Sequence, residues 1–201
     1  MLLTKKSKRL SCLLLIGFAL PWPAYSERDL TEQKLNTIEQ KYNKFARQRV
    51  VDWQHLITEN QDLTEQEKLN RVNTFFNANI QFIDDQALWD LKDYWATPLE
   101  TLSKGGGDCE DYAIAKYFTL KRLGVDESKL RLTYVKAIEL NQAHMVLTYF
   151  ENKRAEPLVL DDLIIGIKYA TQRTDLIPVY SFNGDSLWLT KPKENKRVSD
   201  A

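Results

Sequence analysis

Gly105-Gly106-Gly107-Asp108-Cys109-Glu110-Asp111-Tyr112 is the stretch on which the reading of this chain turns. Three consecutive glycines stop regular structure, because each costs the backbone more entropy to order than any other residue. Residues 110–123 then read as a helix with Ile114, Tyr117, Phe118 and Leu123 on its apolar side, and Gly124 stands just past its end. Cys109 therefore falls in the first turn of a helix, against the positive end of the helix dipole. Thiolate is favoured over thiol there, and unpaired backbone N–H groups at the same terminus can hold an oxyanion. A structural, buried cysteine is the ordinary alternative for this residue type. Glycines on one side and carboxylates on the other do not suit such a burial site, so Cys109 is the candidate nucleophile.

Downstream of this helix the pattern changes to strands. Residues 130–138, 144–150 and 158–161 are short runs rich in β-branched and aromatic side chains, and 177–182 and 186–190 are further candidates. Upstream, 30–60 reads as one long helix with Leu35, Ile38, Tyr42, Phe45 and Ala46 on a stripe. Thr64-Glu65-Gln66-Glu67 has the form of a capping box opening a second helix that carries Leu69, Val72, Phe75 and Phe76. Ile80 to Ile83 suggests a short strand. The segment 88–102, with Trp89, Trp95 and Pro98, reads as an irregular lead-in whose tryptophans belong to the core. Helices first, then a nucleophile helix, then an antiparallel sheet is an α+β arrangement. There is no internal repeat and no domain boundary within 27–190; the tail 191–201 is charged and predicted to be disordered.

The first 26 residues stand apart. Lys5, Lys6, Lys8 and Arg9 form a positive region and 10–20 an apolar one, broken by Pro21 and Pro23. Ala24-Tyr25-Ser26 then offers small residues at the −3 and −1 positions of a cleavage site, so the segment is predicted to be a secretory signal peptide. Its apolar run is short of the ~20 residues that span a bilayer, which argues against stable membrane insertion. Removing four basic residues and no acidic one takes the formal charge from 0 to −4. That balance gives no basic face for a nucleic-acid partner. The remaining chain, about 175 residues, is the size of one ordinary domain. Cys12 leaves with the signal, so Cys109 becomes a lone thiol in an oxidising compartment. Such a thiol implies either an intermolecular disulfide or a reactive group.

A thiol nucleophile of this kind wants a histidine base. The chain has two histidines, His55 and His144. His55 lies among polar residues of a helix and reads as a surface or packed side chain. His144 begins a strand, where alternation places it on one face with Val146 and Thr148, so a helix packed on that face would lie under it. Asp161, ending the run Leu158-Val159-Leu160, is the candidate that fixes the tautomer of the base, with Asp162 its rival. Asp108, Glu110 and Asp111 crowd the thiol. As helix-terminal charges they are mildly stabilising, yet they oppose the thiolate. A bound cation would remove that conflict, and all-oxygen donors point to a hard ion, Ca²⁺ outside the cytoplasm.

Gly-Gly-Asp-Cys-Glu-Asp-Tyr-Ala with Lys-Tyr following, then His-Met-Val-Leu, then Leu-Val-Leu-Asp, resembles the bacterial transglutaminase-like cysteine proteinases, the LapG type in particular. The resemblance covers about 89–163 in detail. It implies a papain/transglutaminase-like fold, a triad of Cys109, His144 and Asp161, and a calcium site including Asp108, Glu110 and Asp111. It further implies a periplasmic endopeptidase that cleaves the N-terminal region of a large biofilm adhesin at a dialanine-containing segment, releasing it from the cell surface. The partner implied as inhibitor is an inner-membrane receptor for cyclic di-GMP. The family pattern has asparagine after the triad aspartate where this chain has Asp162, which leaves the orienting carboxylate open between the two. Two other outcomes fit the same residues: a transglutaminase-type acyl transferase with an amine acceptor, and a calcium-responsive binding module without catalysis.

Overall fold

The computed structural model describes residues 30–189; the predicted signal peptide and the charged tail lie outside the described residues. The long N-terminal helix is two: α1 (Glu32–Lys41) and α2 (Lys44–Thr58). The break falls at Tyr42-Asn43, where the Asn43 side chain accepts a hydrogen bond from the Ala46 N–H and caps α2. A local cap of this kind competes with the helix ladder. The two helices fold back on each other and bury Leu35, Ile38, Ala46, Val50 and Trp53, while Phe45 of the expected stripe is turned out to solvent. The capping box forms as predicted, Thr64 and Glu67 opening α3 (Glu65–Asn79), which buries Leu69, Val72 and Phe76.

The segment expected to be irregular contains two short helices, α4 (Asp85–Trp89) and α5 (Pro98–Lys104). The second has its own start signal, a Thr97–Glu100 capping box with Pro98 in the first turn. It ends on Gly105, whose φ of +73° is a left-handed conformation that favours glycine. The Arg49 guanidinium caps this end by donating to the Leu102 and Ser103 carbonyls at 2.7 and 3.3 Å. Flanking the two short helices in the chain, β1 (Gln81–Phe82) pairs in parallel with β2 (Gly106–Gly107), which fixes the glycine run just ahead of the thiol.

Cys109 opens α6 (Cys109–Arg122), a helix buried almost all round between the N-terminal helices and a sheet. The Trp53 indole N–H donates to Thr119 Oγ1 at 2.8 Å across the helix interface. Phe118, expected on the apolar side, is instead 46% exposed. The sheet has six antiparallel strands: β3 (Leu130–Ala137), β4 (Gln142–Tyr149), β5 (Leu158–Leu160), β6 (Lys168–Tyr169), β7 (Leu176–Phe182) and β8 (Leu187–Leu189). Their order is β6-β5-β4-β3-β7-β8. Only the two-residue β6 went unanticipated, being too short to carry an alternation. Pro178 sits where the β3–β7 register shifts, a place that tolerates its missing N–H. Leu130, Leu132, Met145, Leu147 and Leu160 turn toward α6 and the main core, and Val135, Val146 and Val159 form a small cluster apart from it. The helix therefore covers the Met145 and Leu147 face, not the Val146 and Thr148 face on which alternation sets His144.

Candidate active site

Two constructions bring the thiol into place. The pairing of β1 with β2 holds the glycine run, with the Gln81 and Ile83 N–H groups donating to the Gly105 and Gly107 carbonyls at 3.1 and 3.0 Å. Packing of α6 on the sheet then sets Cys109 beside β4, where its sulfur is hydrogen-bonded by the backbone N–H of Met145, the residue after His144. Contact at the start of β4, through the Met145 N–H, sets the head of α6 against the residue that follows His144. The Cys109 side chain also meets the Glu110 carboxylate, Sγ to Oε2 at 3.0 Å. Burial first, then the charge and hydrogen bond of Glu110, push the thiol well above the ordinary cysteine range.

His144 is buried, and its Nε2 lies 2.7 Å from Asp161 Oδ1 and 3.7 Å from Asp162 Oδ1. The nearer carboxylate is thus Asp161, and the engagement of Nε2 leaves Nδ1 as the ring atom available for proton exchange. Burial would raise the Asp161 carboxyl, but the hydrogen bond and charge of His144, joined by Arg173, hold it below the usual carboxylate range. The turn after β5 is held from several sides: the Asp162 and Leu163 N–H groups donate to Asp161 Oδ1, and Asn77 Nδ2 and Lys116 Nζ donate to the Asp161 carbonyl at 2.8 and 3.0 Å. Asp162 is different. Burial and the neighbouring Asp161 charge push it up to about 6. His55 lies 63% exposed on α2, 3.6 Å from Glu59 and away from this site, as its polar neighbourhood implied.

The acids around the thiol form a larger cluster than the sequence suggested. Asp85, Asp108 and Asp111 bring carboxylate oxygens within 4.8 Å of one another, and Asp85, Asp93 and Glu110 do the same. Asp85 Oδ1, Asp108 Oδ1 and Asp111 Oδ2 are buried without a hydrogen-bond partner. Burial first, and then their mutual repulsion, raise Asp85, push Asp108 up to about 8 and push Asp111 up to about 7. A Cβ on Gly107 would stand 2.7 Å from the Asp111 carboxylate, so only glycine lets the backbone pass there. All-oxygen donors converging from three chain segments, those of Asp85, Asp108 and Asp111 orphaned, fit a hard divalent cation such as Ca²⁺. Asp85 and Asp93 escaped the sequence reading because a lone acid in a turn or a helix start looks like an ordinary cap. Ala96 N–H donates to Asp111 at 2.7 Å and Tyr94 N–H donates to Asp85, tying the lead-in to this cluster. Trp89 packs against Tyr94 under Lys104, while Trp95 is half-exposed and stacks on Phe182 instead of entering the core.

A lone thiol at a helix head, a buried histidine–aspartate pair on the adjacent sheet and this α+β order define a transglutaminase-like cysteine peptidase fold. Residues 32–180 match the model of the bacterial transglutaminase-like cysteine proteinase BTLCP, and the chain belongs to that family. It is therefore a cysteine peptidase. Among solved structures it is similar to Legionella pneumophila LapG: 42% identity over 81% of this chain and 89% of that one, TM-score 0.71. The calcium-bound form of that protein matches at 41% identity over 85% and 94%, TM-score 0.71. Its EGTA-treated form matches at 43% over 81% and 87%, TM-score 0.69. The comparison with curated proteins finds no match. No helix among the described residues is long and apolar enough to cross a membrane.

The two aspartates of the turn after β5 are separable by substitution. Asp161→Asn is expected to cut kcat for peptide hydrolysis by roughly 10⁴-fold, the loss that follows when a base loses the carboxylate fixing its tautomer. Asp162→Asn restores the asparagine of the family pattern and is expected to leave kcat within about threefold, because Asp162 stands 3.7 Å from Nε2. Steady-state kinetics on one peptide compares them; the reverse order would make Asp162 the orienting group.

Proposed function

We propose that this chain is a calcium-dependent periplasmic cysteine endopeptidase that cleaves the N-terminal region of a large surface adhesin at a dialanine-containing segment. The observation that carries the reading is the junction of three groups at the head of α6: the Cys109 thiol, the His144–Asp161 pair and the orphaned acid cluster beside them. The calcium-bound and EGTA-treated structures of the similar Legionella protein support calcium as the ion. The signal-peptide pattern of the first 26 residues supports export. An inner-membrane receptor for cyclic di-GMP is the inhibitor proposed on the same family resemblance.

In the proposed mechanism the Cys109 thiolate attacks the carbonyl carbon of the scissile peptide while amides at the head of α6 hold the oxyanion. His144 takes the thiol proton, and the S–C bond forms as the carbonyl electron pair moves onto oxygen. When that pair returns, the C–N bond breaks and His144 gives that proton to the leaving amine. His144 then takes a proton from water, whose oxygen displaces Cys109 from the thioester. Asp161 holds the imidazole in one tautomer through both steps. Asp85, Asp93, Asp108, Glu110 and Asp111 would hold the cation, which supplies positive charge against the acids that oppose the thiolate. Incubating the exported chain with a dialanine-containing adhesin fragment, in Ca²⁺ and in chelator, tests this. A single cut with calcium and none in chelator is the expected result. Failure to cut an intact fragment in either, by folded protein, sinks the substrate assignment.

A further inference from the structure

We propose that Arg173 is a positioning residue of this peptidase, which locks the Asp161 carboxylate with Oδ1 toward His144 and tempers the basicity of the imidazole through it. The proposal rests on the Cys109–His144–Asp161 reading. The Asp161 side chain is fully buried, and its Oδ1 is already engaged by His144 and two backbone amides. The second oxygen, Oδ2, forms an ion pair with Arg173 Nη1 at 2.7 Å, at an angle outside hydrogen-bond geometry, and has no hydrogen-bond partner of its own. A carboxylate free to turn about its last torsion would exchange its two oxygens. A guanidinium on Oδ2 removes that freedom. Arg173 is itself held: it is 4% exposed, it lies in the β6–β7 connection, and its Nε and Nη2 fork engages both Asp175 oxygens at 2.9 and 2.6 Å. One planar group thus spans two carboxylates, which a lysine cannot do.

The electrostatic part follows from position. A fixed cation on the far side of Asp161 cancels part of the charge that would otherwise favour the imidazolium. The other charged groups facing the pair are Asp162 from the same turn, Asp175 behind Arg173, and Lys116 from α6, with Tyr112 of α6 against Asp162. None of these reaches Asp161 Oδ2. A base that holds its proton too firmly returns it slowly to the leaving amine.

The test uses Arg173→Met and Arg173→Lys in the exported chain. The ring signals of His144 and His55 can be followed by NMR against pH, alongside kcat on a peptide. In R173M the midpoint of the His144 ring titration is expected to rise by roughly one pH unit and kcat to fall about tenfold or more. R173K keeps the charge, so its midpoint should stay near wild type while kcat is intermediate. An unmoved midpoint in folded R173M overturns the proposal, because a merely structural arginine would lower kcat without that shift. Should R173M fail to fold, R173K with full kcat overturns it instead. The NMR arm needs no substrate, so failure of the adhesin assignment leaves it intact. A His144 titration unaltered in Asp161→Asn would sink the triad, and the proposal with it.

Discussion

Cys109→Ala is expected to lower peptide hydrolysis by about 10⁴- to 10⁶-fold, the range seen when the nucleophile of an acyl-transfer triad is removed. The chain offers no substitute: Cys109 is the one free cysteine among the described residues, and no other thiol is left once the first 26 residues are removed. The fold should survive, because only a sulfur at the edge of the main core is lost. Melting within about 3 °C of wild type would be consistent with a change near 1 kcal/mol. Hydrolysis persisting in purified C109A at more than a percent of wild type would remove Cys109 from the chemistry.

The second large effect is expected from calcium, and its size depends on pH. Asp108 at about 8 and Asp111 at about 7 lie above the ordinary carboxylate value in the folded protein, and Asp85 is raised as well. The folded state therefore keeps protons that the unfolded chain has released once pH passes about 4. Their contribution to stability is present below that pH and is lost as pH climbs through 7 to 8. A dication competes with those protons, so its affinity should rise over the same window. At a hundredfold excess over its Kd, calcium adds about 2.7 kcal/mol of stability, or roughly 5–10 °C of Tm. The calcium-induced rise in Tm should be larger at pH 8 than at pH 5.5. Alkylation of Cys109 by iodoacetamide at pH 7 should likewise run about tenfold faster in calcium than in EGTA, since the ion offsets the carboxylates that oppose the thiolate. Equal Tm and equal alkylation in both media would reduce the acids to helix-terminal charges.

Much of the fold was legible because its signals are local. The Thr64–Glu67 capping box and the β-branched and aromatic runs of β3 and β4 each act within a few residues and appear where the sequence predicts them. The glycine run expected to stop regular structure instead ends α5 at Gly105 and then pairs as β2. The misreadings are local as well. Asn43 outcompetes a helical periodicity that runs on through it, and the Thr97–Glu100 box with Pro98 follows directly on Trp95 in the stretch expected to be irregular. The face assigned to the helix under His144 was another matter. Alternation says which residues share a face, but which face a helix covers is decided by the whole apolar inventory. Here Met145, Leu147 and Leu160 outweigh Val146 and Val159.

By itself the sequence determined the α+β order, the lone thiol at a helix head, the choice of His144 over His55 and the acids at 108, 110 and 111. Each of these is set by neighbours in the chain. Only the tertiary structure decided that Asp161 and not Asp162 lies nearer His144 Nε2, at 2.7 against 3.7 Å. It alone added Asp85 and Asp93 to the acid cluster and placed Arg173 behind Asp161. These are distances between groups far apart in sequence, fixed by how α6 packs on the sheet and how the turns close around it. The long-range partners of Asp161 and Asp111, unlike their helix or strand positions, are written in no stretch of chain around them.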